Sequence, residues 1–183
     1  MASTGPAGAV LGETVITSRQ LQNRVAELGA AITRDYARRN LVLVGVLKGV
    51  FVFMADLMRA IHLPLSIDFI AISPYRPGEQ GVRLLKDLDK PIARQHVLLV
   101  EDIVDTGLTA AYLLRTLQAR GPASLNMCVL LDRPRRRLID IPVAYRGFEI
   151  PDAFVVGYGM DYKQHFRNLP YIALLRGVNG RDG

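Results

Sequence analysis

The segment Leu41–Leu47, LVLVGVL, has no polar side chain, and nothing else in the chain constrains the fold so tightly. A strand with one wet face alternates apolar and polar residues. A run that is apolar throughout suits a strand covered on both faces, which is the habit of parallel sheets. His96–Val100 and Leu125–Leu131 are further aliphatic runs. Helical patterns lie between and around them. The first runs from Thr17 to about Arg38, where Thr17 and Gln20 have capping-box spacing and Leu21, Val25, Leu28 and Ile32 form one apolar stripe. The second covers Val50 to Ile61. The third covers Leu108 to Arg120 and stops at Gly121-Pro122. Shorter strand candidates are Leu65–Ile72, Val82–Leu85, Val143–Arg146, Ala153–Val156 and Tyr171–Leu175. The alternation predicts an α/β chain, a doubly wound and mainly parallel sheet flanked by helices.

With 183 residues the chain suits one domain. The expected division is a flexible tail over 1–14 and a single domain over 15–183. Half the residues are hydrophobic and 22% are charged, which excludes a disordered chain. No apolar run reaches the ~18 residues of a membrane span; the richest stretch, 41–61, is broken by Lys48, Gly49 and Asp56. The N-terminus lacks the basic-then-apolar order of a secretory signal. The one cysteine, Cys128, cannot form an internal disulfide and reads as a small core hydrophobe, which points to a reducing cytoplasm. The net charge of +6 suits RNA, a membrane surface or small polyanionic substrates and chooses none of them. The three histidines show no metal-ligand spacing.

Chemistry concentrates in VLLVEDIVDTGLTA, residues 97–110. A buried strand leads into Glu101 and Asp102, then Ile103 and Val104, then Asp105-Thr106-Gly107-Leu108-Thr109 at the start of a helix. Ligands of open α/β sheets bind at the carboxyl ends of strands. A helix N-terminus offers free N–H groups to phosphate, Gly107 permits close backbone approach, and two threonine hydroxyls add donors. The acid pair can accept bonds from a diol or hold Mg²⁺, and Asp105 can exchange a proton with a substrate. The bland alternative, acids that only cap a helix and solvate a strand end, does not account for three acids, a glycine and two threonines at one junction. The triplet Asp-Thr-Gly also marks aspartic proteases, but it occurs once here and leads into a helical pattern.

This segment resembles the phosphoribosyl pyrophosphate motif of type I phosphoribosyltransferases: four hydrophobic residues, two acids, then D-T-G-x-T. VLKGVFVFMADL (46–57) is similar to the Lys-Gly loop of the hypoxanthine–guanine phosphoribosyltransferase family. SIDFIAIS (66–73) and VRLLKDLD (82–89) fit the arms around that family's catalytic loop. Residues 147–175 resemble its purine-binding and C-terminal region. The resemblance spans nearly everything from Val15 to Leu175. It implies the type I phosphoribosyltransferase fold, with a core over about 38–140 and a small hood, formed by the chain ends and the C-terminal region, over about 141–176. It implies an enzyme that makes IMP, and GMP, plus pyrophosphate from a 6-oxopurine and phosphoribosyl pyrophosphate, with Mg²⁺ as cofactor. Residues 101–109 would hold the ribose and its 5-phosphate, and Asp105 would be the acid/base at purine N7. Tyr75 would belong to the catalytic loop. Lys48, Gly49 and Arg167 would meet the pyrophosphate. Phe154 would stack on the purine, the Val155 main chain would read its edge, and Asp161 would share metal duty with Glu101 and Asp102. The resemblance also implies a cytoplasmic homodimer or homotetramer. Taken alone, Phe154 in an apolar strand reads as core, Asp161 as a turn acid and Arg167 as surface charge.

Two departures from the family pattern bear on function. Arg133 stands where the family carries a lysine that contacts the purine 6-oxo group; it still donates to a carbonyl oxygen, but a planar fork is not an ammonium. The loop SPYRPGEQG, 73–81, keeps Tyr75 but places Pro74 and Pro77 where the family has a Ser-Tyr start and a Gly/Ser-rich stretch. The cluster Arg133, Arg135, Arg136 and Arg137 reads as solvated surface, with substrate phosphates or nucleic acid as the other reading. Two alternatives remain open: a phosphoribosyltransferase for xanthine, adenine or a pyrimidine, and a nucleic-acid-binding regulator that uses the sugar-phosphate site as a sensor.

Overall fold

A computed structural model describes residues 8–73 and 82–177. The elements run in the order β1 (Val10–Ile16), α1 (Ser18–Asp35), β2 (Leu41–Leu47), α2 (Phe51–Ala60), β3 (Leu65–Ile72), β4 (Leu84–Lys86), β5 (His96–Val104), α3 (Leu108–Gln118), β6 (Ser124–Asp132), a 3-10 turn (Pro134–Arg136), β7 (Tyr145–Glu149), β8 (Val155–Val156) and β9 (Ile172–Arg176). Six strands form the main sheet in the order β4-β3-β2-β5-β6-β7. All neighbours pair parallel except β4, which runs antiparallel to β3.

The all-apolar run of β2 is explained by what covers each side. Leu41 and Leu43 pack with Leu21, Val25, Leu28 and Ile32 of α1 and with Phe53, Met54 and Leu57 of α2. Val42, Val44 and Val46 point the other way and pack with Leu113 and Leu117 of α3. The same alternation divides β5, with Leu98 and Val100 on the first side and Val97 and Leu99 on the second. Both faces are therefore dry, and a polar residue at either parity would lose its water without gaining a partner. Helix α1 starts as expected: the Thr17 hydroxyl accepts from the Gln20 N–H, and the Gln20 side chain accepts from the Thr17 N–H.

A second, smaller antiparallel sheet, β1-β9-β8, joins the two ends of the described chain. Here the expected tail over 1–14 is corrected. Residues 10–14 belong to β1, which pairs with β9 more than 150 positions away, with Val10 opposite Arg176 and Ile16 opposite Ile172. The hood boundary also moves: β7, expected beyond the core limit at residue 140, pairs with β6 inside the main sheet.

Candidate active site

Strand β5 continues four residues beyond its aliphatic run, so Glu101 and Asp102 sit within the strand and not after it. Strand pairing with β6 reaches Val104. The chain then turns through Asp105, Thr106 and Gly107, with Gly107 at φ 86°, and enters α3. A Cβ on Gly107 would stand 2.5 Å from the Ile139 carbonyl oxygen, so both the left-handed backbone and the close approach require glycine.

This turn walls a cleft of about 430 Å³ lined by Glu101, Asp102, Ile103, Val104, Asp105, Thr106, Gly107 and Thr109, with Val46, Leu47, Gly49, Ile72, Ser73 and Ala110. A second cleft, of about 270 Å³, is lined by Lys48, Gly49, Asp102, Ile103, Arg133, Phe154, Val155, Met160, Asp161 and Arg167. The two share Gly49, Asp102 and Ile103. Of the described site residues expected from sequence, one lines neither cleft. Leu108, the first residue of α3, is 37% exposed and lines neither cleft. Tyr75, with Pro74 and Pro77, lies outside the described residues.

The shared wall is tight. The Leu47–Lys48 peptide is cis, and a Cβ on Gly49 would stand 1.7 Å from Asp102 Oδ2. A Cβ on Gly159 would stand 2.3 Å from the Gly49 carbonyl oxygen, so the 157–160 turn is pressed onto the same loop. Burial pushes the Asp102 carboxyl up to about 6, against its bond from the Ile103 N–H and the attraction of Arg167. Burial, with Asp102 alongside, raises the Glu101 carboxyl well above its usual range. Arg167 donates to the Gly159 carbonyl at 2.7 Å and stands 2.7 Å from Asp161 Oδ1. The Phe154 ring meets Tyr162 edge-on, 5.8 Å between centroids.

The expectation of a solvated arginine cluster is corrected. Arg133 is 7% exposed; its Nη2 donates to the Ala153 carbonyl and its Nη1 stands 3.8 Å from Asp105 Oδ2. Arg136 Nη1 donates to the same oxygen at 3.0 Å. Arg137 donates to the Asp105 carbonyl at 2.8 Å and to the fully buried Asp132, which Arg146 also faces at 2.7 Å. Only Arg135 among the four has no ion pair in the described residues. Sequence reading missed Asp132, Arg136 and Arg137 as neighbours of the site; the only signal was their adjacency to Arg133.

Free N–H groups at a helix start suit a phosphate, while adjacent carboxylates at the end of a strand, with one more across the cleft, suit sugar hydroxyls or a metal ion that offsets phosphate charge. Mg²⁺ is held by one or two protein carboxylates together with substrate phosphates. The pair Asp102 and Asp161, close enough to raise the Asp102 carboxyl by repulsion, has that character.

Comparison with known proteins agrees. Residues 15–163 match the phosphoribosyl transferase domain. The hypoxanthine phosphoribosyltransferase of Haemophilus influenzae is 51% identical over 166 residues, which is 87% of this chain and 93% of the relative. The hypoxanthine-guanine phosphoribosyltransferase of Staphylococcus aureus is 46% identical over 169 residues, 91% of this chain and 94% of the relative. Among solved structures, a hypoxanthine phosphoribosyltransferase from Staphylococcus aureus superposes with a TM-score of 0.88 at 45% identity, covering 92% of this chain and 95% of the other.

Proposed function

The chain belongs to the phosphoribosyl transferase domain family, and from that premise we propose that it is a purine-salvage enzyme, a hypoxanthine–guanine phosphoribosyltransferase. It joins hypoxanthine or guanine to the ribose 5-phosphate of phosphoribosyl pyrophosphate, giving IMP or GMP and pyrophosphate. One observation carries this reading: two clefts share a wall at Gly49, Asp102 and Ile103, one bounded by a strand-to-helix phosphate turn and the other by an aromatic ring and a buried arginine.

The 5-phosphate occupies the 105–109 turn, held by α3 N–H groups and the Thr106 and Thr109 hydroxyls. Glu101 and Asp102 receive the ribose hydroxyls. Lys48, Gly49 and Arg167 take the pyrophosphate. The purine lies against Phe154, with the Val155 main chain at its edge and Arg133 at O6. As the bond from C1′ to pyrophosphate breaks and N9 attacks, the N7 proton passes to Asp105. Asp102 and Asp161, with Glu101 nearby, would hold Mg²⁺, which neutralises charge on the leaving pyrophosphate. Tyr75 is the second proposed catalytic residue. We also propose that residues 15–183 act as one unit, in the cytoplasm, as a homodimer or homotetramer.

The inward arginines weigh against the regulator reading, since Arg133, Arg136 and Arg137 are engaged by Asp105, Asp132 and the Ala153 carbonyl. The test is an assay of protein, Mg²⁺ and phosphoribosyl pyrophosphate with hypoxanthine, guanine, xanthine or adenine separately. Nucleotide is expected from hypoxanthine and guanine. A preference for adenine would overturn the 6-oxopurine assignment, and sugar-phosphate binding with no nucleotide from any base would overturn catalysis.

A further inference from the structure

The segment 133–139 grips the acid/base turn from outside. The Arg133 N–H donates to the Val104 carbonyl at 3.0 Å, and the Leu138 and Ile139 N–H groups both donate to the Thr106 carbonyl, at 2.9 and 3.2 Å. Arg137, anchored on the buried Asp132, donates to the Asp105 carbonyl at 2.8 Å. The backbone of the turn is thus fixed on both sides of Asp105, which leaves only the carboxyl group to be aimed.

Arg136 does the aiming. Its Nη1 holds Asp105 Oδ2 at 3.0 Å, and its Nε faces Asp152 Oδ1 at 3.3 Å. The other carboxyl oxygen, Asp105 Oδ1, is withdrawn from solvent and has no partner among the described residues. A short side chain with two rotatable bonds would otherwise present either oxygen in several directions. Pinning Oδ2 holds the whole carboxyl group in a single place. Asp152 lies two residues before Phe154, so the same guanidinium ties the acid/base turn to the segment that carries the purine-stacking ring.

We propose that Arg136 is a positioning residue for the transfer reaction: it fixes the Asp105 carboxylate through Oδ2 and sets the distance between Asp105 and the Phe154 segment through Asp152. The inference rests on the acid/base reading of Asp105. It is not a statement about stability, because the Arg136 and Asp152 side chains are 41% and 60% exposed and such pairs contribute little to folding.

The test is a double-mutant cycle on steady-state nucleotide synthesis with hypoxanthine, using Arg136→Ala, Arg136→Lys, Asp105→Asn and Asp105→Asn with Arg136→Ala. Misplacing a catalytic group by about 1 Å costs up to ~10²-fold, so Arg136→Ala is expected to lower kcat by roughly tenfold or more. The Tm and the KM for phosphoribosyl pyrophosphate stay unchanged. Arg136→Lys, which keeps the charge but loses the fork, recovers part of the loss. In the Asp105→Asn background, removing Arg136 costs nothing further, since it acts through the carboxylate. Wild-type kcat in Arg136→Ala, or an undiminished loss in the Asp105→Asn background, overturns the inference while a crippled Asp105→Asn leaves the acid/base reading standing. Wild-type turnover in Asp105→Asn itself removes that reading.

Discussion

At the scale of single residues, the most exacting position is Gly49. Its missing side chain makes room for Asp102: an added Cβ would stand 1.7 Å from Asp102 Oδ2, so one of the two has to move. In Gly49→Ala either the loop retreats or Asp102 turns away, and both disturb the wall the two clefts share. Turnover is expected to fall on the order of 10²-fold, with an unchanged circular dichroism spectrum; steady-state kinetics check it, and near-wild-type activity would mean that the wall is softer than its geometry. Arg133 is a second case. Its fork reaches the Ala153 carbonyl while standing beside Asp105, and burial lowers its hold on the proton while Asp105 opposes this. A lysine at this position has one ammonium for both tasks. Arg133→Lys is therefore expected to raise the KM for hypoxanthine several-fold and still reject adenine, because either cation donates to O6 and neither accepts from a 6-amino group; a base panel reads both. The residues from 101 to 109 were legible because their chemistry is contiguous in sequence. Arg136 was not, since its partner lies 31 positions away and nothing in a run of arginines says which one turns inward.

At the scale of elements, legibility followed how local the cause was. The capping box of α1 needs only Thr17 and Gln20, and it is present as read. It gives a clean prediction: Thr17→Ala removes one side-chain acceptor from the first turn and should cost about 1 kcal/mol of stability, measured by urea denaturation, with kcat unaltered because α1 lines neither cleft. A lowered kcat would show that the helix start is coupled to the site. Strands β2 and β3 matched their expected limits because burial on both faces writes itself into every residue of β2, and turn signals bound β3. Strand β1 was missed for the opposite reason. Its sequence, VLGETVI, mixes Gly12, Glu13 and Thr14 among apolar residues, and its register with β9 is interrupted twice. Such an edge strand is specified by its partner more than by its own propensity. The true length of β5 was hidden similarly: Glu101 and Asp102 read as a strand ending, yet pairing with β6 runs on to Val104, with Ile103 opposite Leu131 and Val104 opposite Asp132.

At the scale of the molecule, the order of strands was the part least open to sequence reading, since it depends on pairings between distant segments, while the class of sheet followed from the apolar runs. What a sheet covered on both faces does predict is the behaviour of its interior, and Cys128 reports on it. The thiol sits in β6, fully buried among Leu43, Leu98, Val100 and Leu130. Burial pushes its ionisation far above the ordinary range, with only a weak opposing pull from Arg24. Thiolate is the reactive form, so a thiol reagent should leave the native protein unlabelled and modify one site per chain in urea. The same shift sets a sign for stability. Above the unfolded-state value of about 8.5 the unfolded thiol loses its proton while the folded one keeps it. The unfolded state then binds fewer protons, and stability falls as pH rises. The slope approaches about 1.4 kcal/mol per pH unit once the unfolded thiol is fully ionised. Below pH 8 this contribution is flat. Urea denaturation of the wild type and of Cys128→Ala between pH 7 and 9.5 isolates it: the variant starts lower because a buried group has been removed, and the gap should narrow as pH rises past 8.5. Parallel curves, or labelling of the native protein at neutral pH, would mean that water reaches the centre of the sheet.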